Sequence, residues 1–220
     1  MADGAPEPCI YVLAGTNGAG KSSIAGAMFE RAGAEYFNPD HAARLIRARQ
    51  PELGQTDANS AAWHQGRRLL ERAIAERRTF AFETTLGGAT ITALLERALA
   101  VGLAVRVWYV GLEGAERHIT RVRARVARGG HDISEAQIRA RYDASRLNLI
   151  RLLPRLTELR VYDNSAEADP AAGVAPQPLL VLHMVGGRIV DACPPAQTPG
   201  WAKPIVAAAL KKPAGRRLPG

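Results

Sequence analysis

The chain has 220 residues and 23.6 kDa, with 29 Lys+Arg against 21 Asp+Glu, a net charge of +8 and a sequence pI of about 10.1. That length suits one α/β domain with a small appendage and excludes a large multidomain ATPase. Hydrophobic residues make up 47 %, yet 40 of them are alanine, so the core has to be built from Leu, Val and Ile with small Ala contacts.

In chain order, residues 1–8 read as a flexible leader. Cys9 to Ala14 is an apolar run rich in β-formers and reads as a buried strand. Gly15 to Gly20 is a glycine-rich turn, and Lys21 to about Arg31 is a helical pattern stopped by Gly33. Glu35-Tyr36-Phe37 is a short strand, followed by Asn38-Pro39-Asp40, a turn that can cap a helix to about Arg49. Gln50 to Gln55 reads as loop, Ala58 to Arg78 as a long helix, and Thr79 to Phe82 as a strand ending at Glu83. Gly87-Gly88 opens a turn before a helix to about Ala100, and Leu103 to Val110 is a second clear strand.

The pattern continues with a basic helix, Ala115 to Arg128, closed by Gly129-Gly130. Ser134 with Gln137 forms a capping box for a helix running to about Leu153, where Pro154 ends it. Leu159 to Tyr162 is a strand, and Leu179–Val185 with Arg188–Asp191 read as a hairpin around Gly186-Gly187. Trp201 to Leu210 reads as a short helix. Strands alternating with helices predict an α/β fold: a three-layer αβα sandwich on a mainly parallel sheet, with a helical lid and a C-terminal β-hairpin. The expected division is a single domain over 9–195, a lid around 125–141, and an extension with a basic tail over 196–220.

Cys9 and Cys193 are the two cysteines and lack metal-ligand spacing, so neither a zinc site nor a disulfide framework is expected. The sequence shows neither a secretory signal pattern nor 18 consecutive apolar residues, and the expected location is cytoplasmic.

Positive charge is unevenly shared: 25 Arg against 4 Lys, with Lys21 the one lysine before position 203. Lys21 falls in Gly15-Thr16-Asn17-Gly18-Ala19-Gly20-Lys21-Ser22, which fits G-x-x-x-x-G-K-[ST]. Gly15, Gly18 and Gly20 let the backbone turn its N–H groups onto a phosphate, and the following helix points its N-terminus at the same anion. Lys21 reaches the β/γ-phosphates as a compact point charge where a planar guanidinium would not fit. Ser22 supplies a hydroxyl for Mg²⁺, and Ser23 extends the nucleotide-binding run. The loop therefore predicts ATP with Mg²⁺.

Other phosphate-loop classes are excluded by what is missing. A GTPase needs an Asn-Lys-x-Asp motif, but no lysine lies between Lys21 and Lys203, and no D-x-x-G switch is present. A transporter-type Leu-Ser-Gly-Gly-Gln signature is also absent. A small-molecule or nucleotide kinase remains, needing positioning, charge neutralisation and a base. Asp40, just past the second strand, is the candidate general base, with helix capping as its plain alternative. Glu83, Thr84 and Thr85 follow the third strand and are candidates for substrate contact, against ordinary turn chemistry. Arg117, Arg121, Arg125 and Arg128 form one helical stripe, of which Arg117 and Arg121 read as a solvated face. Arg128, beside a Gly-Gly hinge, and Arg141 on the next helix are candidates to close on the phosphate chain. His131 reads as a structural residue that can cap a helix end, with substrate contact as the alternative.

Together these residues resemble the zeta toxin family of phosphate-loop kinases over roughly residues 9–165. The matching pieces are Gly15–Ser22, Asn38-Pro39-Asp40, Glu83-Thr84-Thr85, the pair Arg128 and Arg141, and the stretch Gly129–Ile133 followed by Arg141-Tyr142 and Asn148-Leu149. The resemblance implies Asp40 as general base, Glu83-Thr84-Thr85 on the substrate, and Arg128 and Arg141 holding the phosphates. It further implies transfer to a sugar hydroxyl of UDP-N-acetylglucosamine, and an antitoxin partner. The rival expectations are a nucleoside, nucleotide or polynucleotide kinase, or a nucleotide-switched module that binds nucleic acid. The +8 charge suits a nucleic acid, while 5 % aromatic residues leave few stacking platforms.

Overall fold

The computed structural model describes residues 7–21, 36–166 and 177–211. The helix expected after Lys21, with Ser22 and Ser23 at its start, lies outside the described residues.

Strand β1 (Cys9–Ala14) is the centre of the fold. It pairs in parallel with β3 (Phe80–Thr84) on one side and β4 (Ala104–Gly111) on the other. β2 (Tyr36–Phe37) lies outside β3, and β5 (Glu158–Asp163) outside β4, all parallel. The hairpin β6 (Leu179–Val185) and β7 (Arg188–Ala192) adds two antiparallel strands to the same sheet, giving the order β2-β3-β1-β4-β5-β6-β7. This is the mainly parallel sheet with a C-terminal hairpin expected from the sequence. Because β1 has neighbours on both sides that are reached by separate connections, a crevice opens at its carboxyl end.

The strand pleat sorts β1 residues onto two faces. Ile10, Val12 and Ala14 enter the main core with Val105, Val107, Tyr109 and Leu159. Leu13 packs on the opposite face with Trp108 and Val110, against Tyr11 and Tyr162. The main core is closed by residues of α2 (Gln55–Ala75), α3 (Ala89–Ala100) and α5 (Glu135–Leu152), such as Leu70, Leu95 and Leu149.

The helix boundaries follow local capping. α1 (Pro39–Arg49) starts with Pro at its first position, and Asn38 accepts a hydrogen bond from the His41 N–H through its side chain. Asn38, not Asp40, is thus the N-cap. α2 begins three residues before the expected Ala58, because Gly54 takes an extended conformation and caps it. It also ends at Ala75 rather than Arg78, where Arg77 adopts a left-handed φ of 49°. α4 (Ala115–Val126) starts after Gly114, and Ser134 caps α5 through the Gln137 N–H.

The segment expected as an extension beyond 195 does not stand apart from the domain. Trp201, Ala202, Ile205 and Ala209, from a short 3₁₀ turn and α6 (Lys203–Leu210), all belong to the main core. The indole Nε1 of Trp201 donates to Asp163 Oδ1 at 2.7 Å, and its ring lies over Gly111. Among the described residues, no helix is long and apolar enough to cross a membrane.

Candidate active site

The turn after β1 occupies the crevice. Gly15, Gly18 and Gly20 have φ of +144°, +84° and +80°, backbone that L side chains rarely adopt. A Cβ on Gly15 would fall on the Val110 carbonyl, and one on Gly20 would fall on the Asn164 amide. Side chains from outside the loop tie it down. His118 on α4 meets the Asn17 carbonyl through Nδ1 at 2.9 Å, Asn164 Nδ2 donates to the Ala19 carbonyl at 2.9 Å, and Arg141 donates to Asn17 Oδ1 at 2.8 Å. Such a rigid, glycine-shaped cradle with a buried lysine at its end fits a phosphate chain. Among the described residues no group of three His, Cys, Asp or Glu could hold a metal ion.

Lys21 donates to the Gly15 carbonyl at 2.8 Å and pairs with Glu83 Oε1 at 3.4 Å. Glu83 also accepts from Tyr36 Oη at 2.8 Å and Asn38 Nδ2 at 2.9 Å through Oε2. Burial, reinforced by this carboxylate, pushes the Tyr36 phenol well above its usual range. Glu83 therefore links the ends of β1, β2 and β3. Asp40 stands at the mouth, its side chain 52 % exposed, 4.0 Å from an Arg125 guanidinium nitrogen.

Thr84 and Thr85 show the turn chemistry that was the plain alternative. Thr84 Oγ1 accepts from the Leu86 N–H at 3.0 Å, and Thr85 Oγ1 from the Gly87 N–H at 3.4 Å. They hold Leu86, a non-glycine residue, at a φ of +55°. α5 clamps the same turn: Ser145 donates to the Thr85 carbonyl at 2.6 Å and Asn148 to the Leu86 carbonyl at 2.9 Å. Both threonines nevertheless line the cavity beside Lys21.

The arginine stripe of α4 is divided otherwise than expected. Arg121, read as solvated face, donates to the Asn164 carbonyl at 2.8 Å and lines the loop side of the site. Arg117 likewise donates to the Ser165 carbonyl at 2.9 Å. Both arginines thus hold the segment after β5, which the helical spacing alone could not reveal. Arg125 donates to the His131 carbonyl at 2.9 Å and faces Asp40. Arg128 is exposed on the rim, bonded to the Ala124 carbonyl. Arg141 is half-buried; desolvation disfavours its charged form and Asp40 counters that effect. His131 meets Asn59 at 2.9 Å, joining the 129–133 segment to α2.

Two hollows meet at this centre. One of about 1220 Å³ runs between the glycine loop and Arg121, Arg125 and Arg128. The other, of about 560 Å³, runs between β3 and α2. Lys21, Asp40 and Glu83 line both. Such an arrangement can present a bound phosphate chain from one side to a second molecule on the other.

The sheet order, the glycine loop and its buried lysine define a phosphate-loop NTPase fold of the kinase-like kind. The chain belongs to the AAA_33 family, an AAA domain, whose model matches residues 10–146. An uncharacterised protein of Haemophilus influenzae is 34 % identical over 128 residues, covering 58 % of this chain and 88 % of that protein. The complex of AvrRxo1-ORF1 with AvrRxo1-ORF2, solved with sulphate ions, superposes with a TM-score of 0.63 at 15 % identity. That match covers 96 % of this chain, which spans 66 % of the length of the matched one. A structure from the PezAT toxin–antitoxin system of Streptococcus pneumoniae gives a TM-score of 0.51 at 14 % identity, covering 79 % of this chain and 76 % of its own. These likenesses establish the fold and agree with the resemblance to zeta toxin kinases drawn from the motifs.

Proposed function

We propose that the chain is an ATP-dependent small-molecule kinase of zeta-toxin type, phosphorylating a hydroxyl of a sugar nucleotide such as UDP-N-acetylglucosamine. The observation that carries this reading is the meeting of the two hollows at Lys21, Asp40 and Glu83. The larger hollow, with the glycine loop Gly15–Gly20, suits the nucleotide, and the smaller one suits the acceptor. ATP with Mg²⁺ supplies the transferable γ-phosphoryl group.

Lys21, Arg141 and Arg128 neutralise negative charge on the phosphates, the last on closure of the lid. Asp40 takes the proton of the acceptor hydroxyl, standing exposed at the junction where that hydroxyl would arrive. Glu83 holds Lys21 in place and, with Thr84 and Thr85, faces the acceptor. Ser22 and Ser23 would extend the nucleotide site, and the Ser22 hydroxyl would hold Mg²⁺, which would neutralise phosphate charge. The proposed setting is the cytoplasm. The toxin–antitoxin source of one structural neighbour supports an antitoxin as partner.

Mass spectrometry of a bacterial metabolite pool incubated with the protein and ATP–Mg²⁺ tests the reading. A hydroxyl-bearing metabolite, expected to be a sugar nucleotide, should gain one phosphoryl group. A pool left unchanged, with no ATP bound by the protein, overturns it.

A further inference from the structure

The acceptor-side hollow has a wall that the motifs did not single out. Thr56, Ser60, Trp63 and Arg67 stand at i, i+4, i+7 and i+11 on α2, and all line the 560 Å³ hollow. The same helix buries Leu70, Ala73 and Ile74 in the main core, so this stripe is not needed for packing. Trp63 is 40 % exposed, while the other two tryptophans, Trp108 and Trp201, are only 7 % and 2 % exposed. The Arg67 guanidinium lies 5.8 Å from the Trp63 ring.

Arg67 is also poorly satisfied. Its Nε makes no hydrogen bond and faces Glu71 Oε1 at a loose 3.8 Å, an ion pair between half-exposed side chains. With 36 % of its side chain exposed along the wall of the hollow, the guanidinium can take an anionic partner. The floor beside these groups is deliberately lowered. A Cβ on Gly66 would stand 2.5 Å from Phe37 Cε1, so the glycine lets the Phe37 ring of β2 lie against the helix.

We infer that Trp63 and Arg67 form an acceptor-recognition shelf. Trp63 stacks on a flat ring face of the acceptor, and Arg67 holds an anionic group carried by the same molecule. Ser60 and Thr56, about one and two turns before Trp63, offer hydroxyls to its polar edge. This inference rests on the kinase reading, and names the residues that would recognise the ring and the anionic group of its acceptor. A ring with a stackable face can be a nucleobase or a sugar, so the test must distinguish them.

The experiment is equilibrium dialysis of the full chain with AMP-PNP and Mg²⁺ filling the donor side. The probes are uridine 5′-monophosphate, glucose 6-phosphate, glucose and inorganic phosphate. Wild type should bind one or both of the anionic ring probes, and glucose and inorganic phosphate at least tenfold more weakly. Trp63→Ala and Arg67→Ala should each weaken that binding about tenfold, the scale of one lost stacking contact. Trp63→Phe, which keeps an aromatic face, should restore most of it and guards against misfolding of the alanine variant. Preference for uridine 5′-monophosphate names a base as the stacked ring, and preference for glucose 6-phosphate names a sugar. Failure of wild type to bind AMP-PNP overturns the kinase reading itself. Binding of AMP-PNP with no binding of either ring probe, or with unchanged binding in Trp63→Ala, overturns the shelf alone.

Discussion

Lys21 and Glu83 form an ion pair at the back of the cleft, with Nζ and Oε1 3.4 Å apart and side chains only 8 % and 16 % exposed. A buried cation and anion in this position keep each other solvated in the absence of a ligand. The Gly15 carbonyl completes the lysine, and Tyr36 and Asn38 complete the glutamate. On the proposed reading, the pair holds the ammonium in place for an arriving phosphate.

Lys21→Ala should accordingly leave a folded protein, because Glu83 retains two hydrogen-bond donors. Phosphoryl transfer should fall by about 10³-fold or more, the usual scale for removing a cation that stabilises charge developing in the transition state. Circular dichroism melting beside a radiolabelled ATP transfer assay checks both halves. Retained transfer would remove the phosphate loop from the chemistry.

Asp40 and Asn38 should separate cleanly. Asn38 is the N-cap of α1 and also touches Glu83, so Asn38→Ala should lower stability by about 1 kcal/mol. Asp40 is exposed and caps nothing, so Asp40→Asn should change stability by less than about 0.5 kcal/mol. The same substitution should keep nucleotide binding and abolish acceptor phosphorylation, since an amide cannot take the proton. Urea denaturation and a transfer assay on each variant decide it; a normal rate in Asp40→Asn places the base elsewhere.

Much of this was readable from the residues because local chemistry and global fold agree. An apolar six-residue run before three glycines and a lysine can hardly be other than strand, phosphate turn and anion site. Turn glycines and caps placed the helices to within a few residues, and Gly186-Gly187 placed the hairpin. The arginines of α4 were a different matter. Helical spacing groups Arg117, Arg121, Arg125 and Arg128 on one stripe, but whether a guanidinium meets water or a carbonyl depends on β5. That strand ends some forty residues later in the chain, with Asn164 and Ser165 just beyond it. The role of Trp201 was hidden for the same reason: its partners, Gly111 and Asp163, are brought to it only by sheet pairing. Leu86 gave no signal at all, since nothing about a leucine announces a left-handed backbone.

His118 gives the protein a pH dependence. It is buried beneath the glycine loop, and desolvation, opposed by its bond to the Asn17 carbonyl and aided by nearby Lys21 and Arg121, pushes its pKa down to about 4. The unfolded chain binds a proton near 6.5, so between these values the unfolded state is the more protonated. Stability from this group is full above pH 6.5 and is lost as pH falls toward 4, on the order of 3 kcal/mol. His118→Gln removes the titration and keeps a donor for the Asn17 carbonyl. Urea midpoints at pH 7 and pH 4.5 should fall less steeply in the variant than in wild type; parallel slopes would show that another group titrates.

The arginines around the phosphate side should fall into three functional groups. Arg121 fastens the segment after β5 and borders Gly20, so Arg121→Ala should chiefly weaken ATP binding. Arg141 is already docked on Asn17 of the loop and half-buried, and on the proposed reading it counters phosphate charge there. Arg141→Ala should lower kcat by about 10³-fold, the scale seen for arginines that act on a transferring phosphoryl group. Arg128 stands open on the rim, its guanidinium spent on the Ala124 carbonyl next to a Gly-Gly turn. On the proposed reading it adds nothing to ground-state binding in that position, and it would reach the phosphates on closure of the 129–133 segment. Arg128→Ala should therefore lower kcat while leaving the ATP dissociation constant within about twofold, because an interaction made only in the transition state changes rate and not binding. Steady-state kinetics and ATP titration on the three variants read out the pattern. Equal losses of ATP affinity in all three would mean that the arginines form one static anion surface and that no lid closes.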